Sequence, residues 1–239
     1  MDLIICFIDD SDFEHNLVRN EIARQANGIE FVQAYTFDEA VEQLGNRLPG
    51  LFLLDLWGQD PQVKKPYITS REELEEIISH FNTPEHVYKG LDNHEGGKIN
   101  EYLKRLFSIV DSWRNLFETV CDRAGQNNKY GLANIRRVRE EYPGIPAVFY
   151  TRKSLINDAV AMINNGTDGL FIKPTGKDDA ETRSLTSDYA PKLICDLLET
   201  IQKKVEKISE YQNFYYKKSH EKEIDIKNYI SGWKNFEII

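Results

Sequence analysis

The amino-acid sequence predicts an α/β fold: a doubly wound, five-stranded parallel sheet with an inserted helical hairpin and an extended C-terminal helix. Three observations predict it. Short, continuous apolar runs alternate with stretches of helical periodicity, the pattern of strands buried on both faces and joined by crossover helices. The main runs stop abruptly at an acidic, hydroxyl or amino side chain. The alternation breaks off once, from about Gly58 to Asn128, and then resumes.

Leu3 to Ile8 is the first run and ends at Asp9-Asp10. Phe13, Leu17, Ile22 and Ala26 then lie along a helix that closes near Gly28. Phe31-Val32 reads as a second short strand. Thr36, with Glu39 three residues on, forms a capping box, and Ala40, Val41 and Leu44 make the apolar side of the helix that follows. Leu51 to Leu54 is the third strand and ends at Asp55.

Within the break, Lys64-Lys65-Pro66 is a polar loop. Ser70 caps a helix reaching about His80, with Leu74, Ile77 and Ile78 on one side, and Asn93 to Lys98 is a turn. Ile99, Leu103, Leu106, Phe107, Val110, Trp113, Leu116, Phe117 and Val120 then define a long amphipathic helix closed by Gly125. Beyond it, Leu132, Ile135, Val138 and Tyr142 sit at helical spacing before the stop at Pro143-Gly144. Ile145 to Tyr150 is a further strand, ending at Thr151, and a helix through Ala159, Ala161, Met162 and Ile163 ends at Gly166. Gly169 to Ile172 is the last strand, ending at Lys173-Pro174. After a polar loop, a helix runs from about Tyr189 to Tyr216. The expected division is a core domain of residues 1–57 and 129–188, an insertion of 58–128, and a last helix with tail, 189–239.

Composition excludes several classes. With 41% hydrophobic residues the chain can fill a core, unlike a disordered protein. A net charge of −9 lacks the basic footprint of a nucleic-acid binder. Cys6, Cys121 and Cys195 are far apart and odd in number, and read as reduced thiols. No apolar run approaches the ~20 residues of a membrane helix, and Met1-Asp2-Leu3-Ile4 lacks the pattern of a signal peptide. The expected setting is the cytoplasm, without a nucleic-acid or membrane partner.

Asp9, Asp10, Asp55, Thr151 and Lys173 all close strands. In an open parallel sheet the C-terminal strand ends share one edge, where ligands bind. Three carboxylates meeting there repel, so each needs a cation or a proton. Oxygen donors without a convergent His or Cys favour Mg²⁺. A carboxylate, a cation site, an amine and a hydroxyl together suit a phosphoryl group, whose charge they neutralise and whose oxygens they bind.

The stretches IICFIDDS (4–11), LFLLDL (51–56), GLANIRRVREEYPGIPAVFYT (131–151) and NGTDGLFIKP (165–174) resemble the receiver domains of response regulators. The match covers about residues 1–57 and 129–174, plus the start of the last helix. The resemblance implies a flavodoxin-like sheet of order 2-1-3-4-5 and a role in two-component phosphorelay signalling. Asp55 would accept the phosphoryl group from a histidine kinase or phosphotransfer protein. Asp9, Asp10, Asp55 and the backbone carbonyl of Trp57 would hold Mg²⁺. Thr151 would hydrogen-bond a phosphoryl oxygen and Lys173 would pair with Asp55. Self-phosphorylation without turnover of an external substrate is implied, with a cis bond at Lys173-Pro174 and output through an unknown protein target. The other reading is a phosphorylation-independent pseudo-receiver that acts as a scaffold or dimerisation protein.

The chain departs from that family in places. A Met-Pro pair is usual soon after the phosphoacceptor, where this chain reads Trp57-Gly58-Gln59-Asp60-Pro61. The large indole of Trp57 is expected to shield an acyl phosphate from water. Leu170 stands where an aromatic is usual, with Phe171 beside it, and bulky Arg152 follows Thr151. In the insertion, His86-Val87-Tyr88-Lys89-Gly90 resembles a phosphotransfer signature, but the segment is short for the required bundle. His80, His86 and His94 fit no standard zinc spacing. Ile194, Leu198, Ile201, Val205 and Ile208 step by four and three, a coiled-coil seam that serves either a homodimer or intramolecular packing.

Overall fold

The computed structural model describes residues 3–60, 62–93, 97–152 and 156–210, with the backbone alone at 156 and 208–210. Its strands are β1 (Leu3–Ile8), β2 (Ile29–Ala34), β3 (Leu51–Leu54), β4 (Gly58–Gln59), β5 (Gln126–Asn127), β6 (Ala147–Thr151) and β7 (Gly169–Ile172). Its helices are α1 (Asp12–Leu17), α2 (Phe37–Leu44), α3 (Arg71–Ser79), α4 (Pro84–Tyr88), α5 (Lys98–Arg123), α6 (Lys129–Glu141), α7 (Ile156–Asn164) and α8 (Asp179–Glu210). Five strands form the main sheet in the order β2-β1-β3-β6-β7, and its neighbouring pairs run parallel. Counted within that sheet, this is the flavodoxin-like order 2-1-3-4-5. β4 and β5, which the sequence pattern did not mark, pair with each other.

Burial follows the sequence pattern. The apolar strands β1, β3 and β6 are buried along their whole length, whereas the edge strands β2 and β7 alternate. This is how a sheet covered on both faces sorts its centre from its edges. Cys6, in the centre of β1, is fully buried, and burial pushes its thiol up to about 12.

The first helix is less regular than its periodicity implied. After α1 the chain widens into a π turn over Val18–Ile22 and tightens into a 3₁₀ turn over Ala23–Gln25. The wide turn presents both Val18 and Ile22 to the core.

The last helix starts ten residues earlier than the sequence indicated, at Asp179. The segment read as a polar loop is helical because its polar groups are used locally. The Asp178 carboxylate accepts from the Glu181 N–H at 2.8 Å, and the Thr186 hydroxyl donates to the Thr182 carbonyl at 2.7 Å. Pro191 lies inside the helix. Ile194, Leu198 and Val205 pack against the same core as Ala190, Leu193, Leu197 and Ile201. The heptad-like spacing is thus one flank of a wide stripe facing the chain's own sheet. The Ile208 side chain and the tail, 211–239, lie outside the described residues.

The chain divides into two compact units, residues 1–58 with 128–239, and residues 59–127. Among its described residues the second unit contains the expected pair of longer helices, α3 and α5, with the short α4 and a 3₁₀ turn at Leu91–Asn93 between them. Ser70 caps α3 in a capping box, as its spacing required. Val87, Leu91 and Leu116 are its buried apolar residues, and the Arg105 guanidinium ties α5 to α4 through the carbonyls of Val87 (3.1 Å) and Lys89 (2.7 Å). His86 serves as a cap, its Nδ1 accepting from the Thr83 N–H at 3.1 Å. His94 lies outside the described residues. Among the described residues, no helix is long and apolar enough to cross a membrane.

Candidate functional site

β1, β3, β6 and β7 end on one edge of the sheet, and their last residues set the site. Asp9 and Asp10 follow β1, and Asp55 follows β3, which pairs directly with β1. One oxygen from each of these carboxylates lies within 4.8 Å of the others. Asp9 is fully buried and Asp55 nearly so. Thr151 closes β6, and Lys173 follows β7, its N–H donating to the Thr151 carbonyl at 3.0 Å. The Lys173 ammonium enters the acid group, with its Nζ 2.5 Å from Asp9 Oδ2 and 3.1 Å from Asp55 Oδ1. The Asp55 contact is an ion pair without hydrogen-bond alignment.

Electrostatics follow from this crowding. Burial raises the Asp9 carboxyl to about 7; Lys173 opposes the rise and Asp55 adds to it. Burial disfavours the Lys173 ammonium, but Asp55, Asp9 and Glu14 together raise its pKa above the usual lysine range. The Thr151 hydroxyl is buried and has no hydrogen-bond partner. A buried orphan hydroxyl is costly, and its presence on the edge that carries the acid group and the Lys173 ammonium marks a place for an incoming acceptor.

Two neighbours of the acids escaped the sequence reading. Glu14, on α1, is buried, with Oε2 3.5 Å from the Lys173 Nζ and Oε1 paired with the Arg152 guanidinium. Arg152 also donates from Nε to the Pro174 carbonyl at 3.2 Å. Bulky Arg152 therefore occupies the loop after Thr151 as part of an ion-pair chain from Lys173 through Glu14. The only sequence signal was its size at that position. The Lys173-Pro174 bond is trans, where the resemblance implied cis. Trans is the ordinary preference of X–Pro bonds, and Lys173 reaches both aspartates from it.

Two further contacts shape the pocket. His15 Nε2 lies 2.8 Å from the Asp9 carbonyl, in geometry suited to donation, and holds the backbone of the acid pair. Gly131, at the start of α6, donates to the Leu56 carbonyl at 3.0 Å, and a Cβ there would overlap the Asp55 carbonyl. Only glycine lets α6 approach the end of β3 so closely. Tyr130 beside it is half-buried, and the loss of solvent together with Asp9, Asp10 and Asp55 raises its phenol above the usual range. Trp57, two residues after Asp55, is also buried. At the expected aromatic position, Leu170 is exposed, while Phe171 packs on the core.

No family model and no curated protein matches the chain. Solved structures similar to it are response-regulator receiver domains. A CheY-like receiver domain protein from Methanospirillum hungatei is 13% identical over 85% of this chain and 99% of its own, with a TM-score of 0.42. The response regulator domain of Thermotoga maritima CheB is 13% identical over 84% of this chain and 98% of its own, at 0.44. The receiver domain of NtrX from Brucella abortus is 18% identical over 78% and 96%, at 0.38.

Proposed function

We propose that this protein is a phosphoryl-accepting receiver of a two-component system, with Asp55 as the acceptor. One observation carries the reading: Asp55 lies 3.1 Å from the buried Lys173 ammonium, within an oxygen-donor group that includes Asp9 and Asp10. The all-oxygen donor set fits Mg²⁺. Asp9, Asp10, Asp55 and the Trp57 carbonyl would hold the ion, which when bound neutralises phosphoryl charge.

The protein's own groups perform the rest. An Asp55 carboxylate oxygen attacks the phosphorus of a phosphohistidine on a histidine kinase or phosphotransfer protein. A P–O bond forms, the P–N bond breaks, and the electron pair leaves with the imidazole, which takes up a proton. Lys173 exchanges its contact with Asp55 for one with the transferred group. The orphan Thr151 hydroxyl donates to a phosphoryl oxygen. Output is a changed protein contact. Val160 and Ile163 of α7, with Leu170 and Ile172 of β7, are exposed next to the strand end that carries Lys173. A shallow cavity of about 270 Å³ lies between α7 and β7, lined by Met162, Ile163 and Leu170.

A second reading, the phosphate-independent scaffold, is favoured by the Glu14–Arg152 ion pair, which anchors the residue after Thr151 in place. Titration with Mg²⁺ and beryllofluoride, a phosphoryl mimic, separates the two. The receiver reading expects saturable binding that is lost in Asp55→Ala. Absence of binding by the folded wild-type chain would overturn it in favour of the scaffold.

A further inference from the structure

The exposed face of α5 has no role in the phosphoryl site. Ile99, Leu103, Phe107, Val110, Trp113 and Phe117 lie along one side of this 26-residue helix and are 39–74% exposed. Together these side chains present roughly 700 Å² of mostly apolar surface, more than a monomer ordinarily leaves uncovered. The order of the apolar residues is specific. Leu103, Leu106, Val110, Trp113, Phe117 and Val120 step by three, four, three, four and three, the seam of a two-helix coiled coil, and Ile99 extends it. The other flank of the helix is already used within its own unit, where Leu116 is buried and Arg105 is tied to α4; at the border of the seam the Trp113 ring packs edge-on against Phe81 and stays half exposed.

We propose that this seam is the interface of a homodimer, formed by two α5 helices packing antiparallel about a two-fold axis at Val110. The sequence of α5 is self-complementary about that residue. Antiparallel pairing sets Val110 against its own copy, Leu103 against Phe117 of the second copy, and Ile99 against Cys121 of the second copy. Trp113 then meets Leu106 of the second copy on one flank. On the other flank, Arg114 lies over Phe107 of the second copy, and Lys104 faces Glu118 of the second copy. Apolar thus meets apolar, and the basic N-terminal flank meets an acid of the C-terminal half. A parallel pair would instead place this flank of one copy beside the opposite flank of the other, and Lys104 and Glu118 would not meet. An isologous two-fold contact needs this self-complementarity. The area removed from water, on the order of 1,400 Å² for both copies, falls within the range of stable interfaces.

The test uses the full-length chain. Sedimentation should give a dimer mass at micromolar concentration. Lys104→Glu and Glu118→Lys should each weaken the dimer about tenfold, because two symmetric contacts change together, and the double reversal should restore it. In a Cys121→Ser, Cys195→Ser background, Val110→Cys should form a disulfide-linked dimer under mild oxidation, while Leu103→Cys should link only when mixed with Phe117→Cys. A monomer overturns the proposal. So does a dimer that ignores both reversals and does not link at residue 110. Each outcome is read without beryllofluoride and is separate from the phosphoryl reading.

Discussion

The Glu14 carboxylate sits between two cations, Lys173 on one side and Arg152 on the other. This arrangement divides the work of neutralisation in the pocket. Arg152 satisfies one Glu14 oxygen, leaving Lys173 closer to Asp9 and Asp55 than to Glu14. Removing Arg152 strands a buried carboxylate with one partner fewer. Arg152→Ala is expected to destabilise the fold by about 2 kcal/mol, discounted for the partial exposure of the arginine. Glu14→Gln in the same chain should recover part of that loss. A urea double-mutant cycle reads the coupling directly, and purely additive losses would show that the two side chains act independently. Neither residue could be assigned to the site from sequence. Glu14 lies three positions past the Ser11 helix cap in an acidic stretch, where a carboxylate ordinarily faces water, and its partner is 138 positions away.

At the scale of elements, Asp168 connects more of the fold than any motif announced. It stands just before β7 and accepts from the Ala147 N–H at 2.9 Å, the Arg139 guanidinium at 2.7 Å and the Lys204 ammonium at 2.8 Å. It thereby joins β6, β7, α6 and α8. Burial alone would raise its carboxyl, but Lys204, the Ala147 N–H and Arg139 outweigh that and hold it below the usual carboxylate value. A depressed carboxyl stabilises the fold above its unfolded-state pKa and loses that contribution as pH falls through the folded one. Asp168→Ala should therefore cost about 3 kcal/mol near neutrality, and the gap from wild type should shrink below about pH 4. Urea midpoints at pH 7 and pH 3.5 check both statements. The strands of this region were legible because apolar runs and terminal Gly and Pro residues are local signals. The Asp168 hub was not, since its partners are supplied by the fold; the early start of α8 was missed because its first turns are polar, although the bonds that hold them are local.

The molecule as a whole has a charge-crowded edge on an apolar sheet, and the two make opposite demands on pH. Asp9, raised to about 7 in the folded chain chiefly by burial, keeps its proton where the unfolded chain has released it. This group therefore makes the fold less stable as pH rises from about 4 to 7, opposite in sign to Asp168. Asp9→Asn should flatten that part of the stability profile, and Mg²⁺ should stabilise wild type more at pH 8 than at pH 5. Chemical denaturation across that range measures both effects; an unchanged slope in Asp9→Asn would show that Asp9 ionises freely. The five strand-end residues were readable at this scale because parallel topology places all such ends together.

The polypeptide departs from the sheet unit after Gly58 and re-enters it at Asn128, and the two points are neighbours. The Gly131 N–H binds the Leu56 carbonyl, and the Tyr130 ring lies flush against Gly58, where a Cβ would come within 2.6 Å of it. A tight turn could bridge such a junction as readily as the present 69-residue segment from Gln59 to Asn127 does. Closure entropy grows only slowly with the length between fixed ends, by about 0.6 kcal/mol per doubling. The junction thus works as a splice point: a cassette of almost any size can be exchanged there while the acidic edge a few residues upstream keeps its alignment.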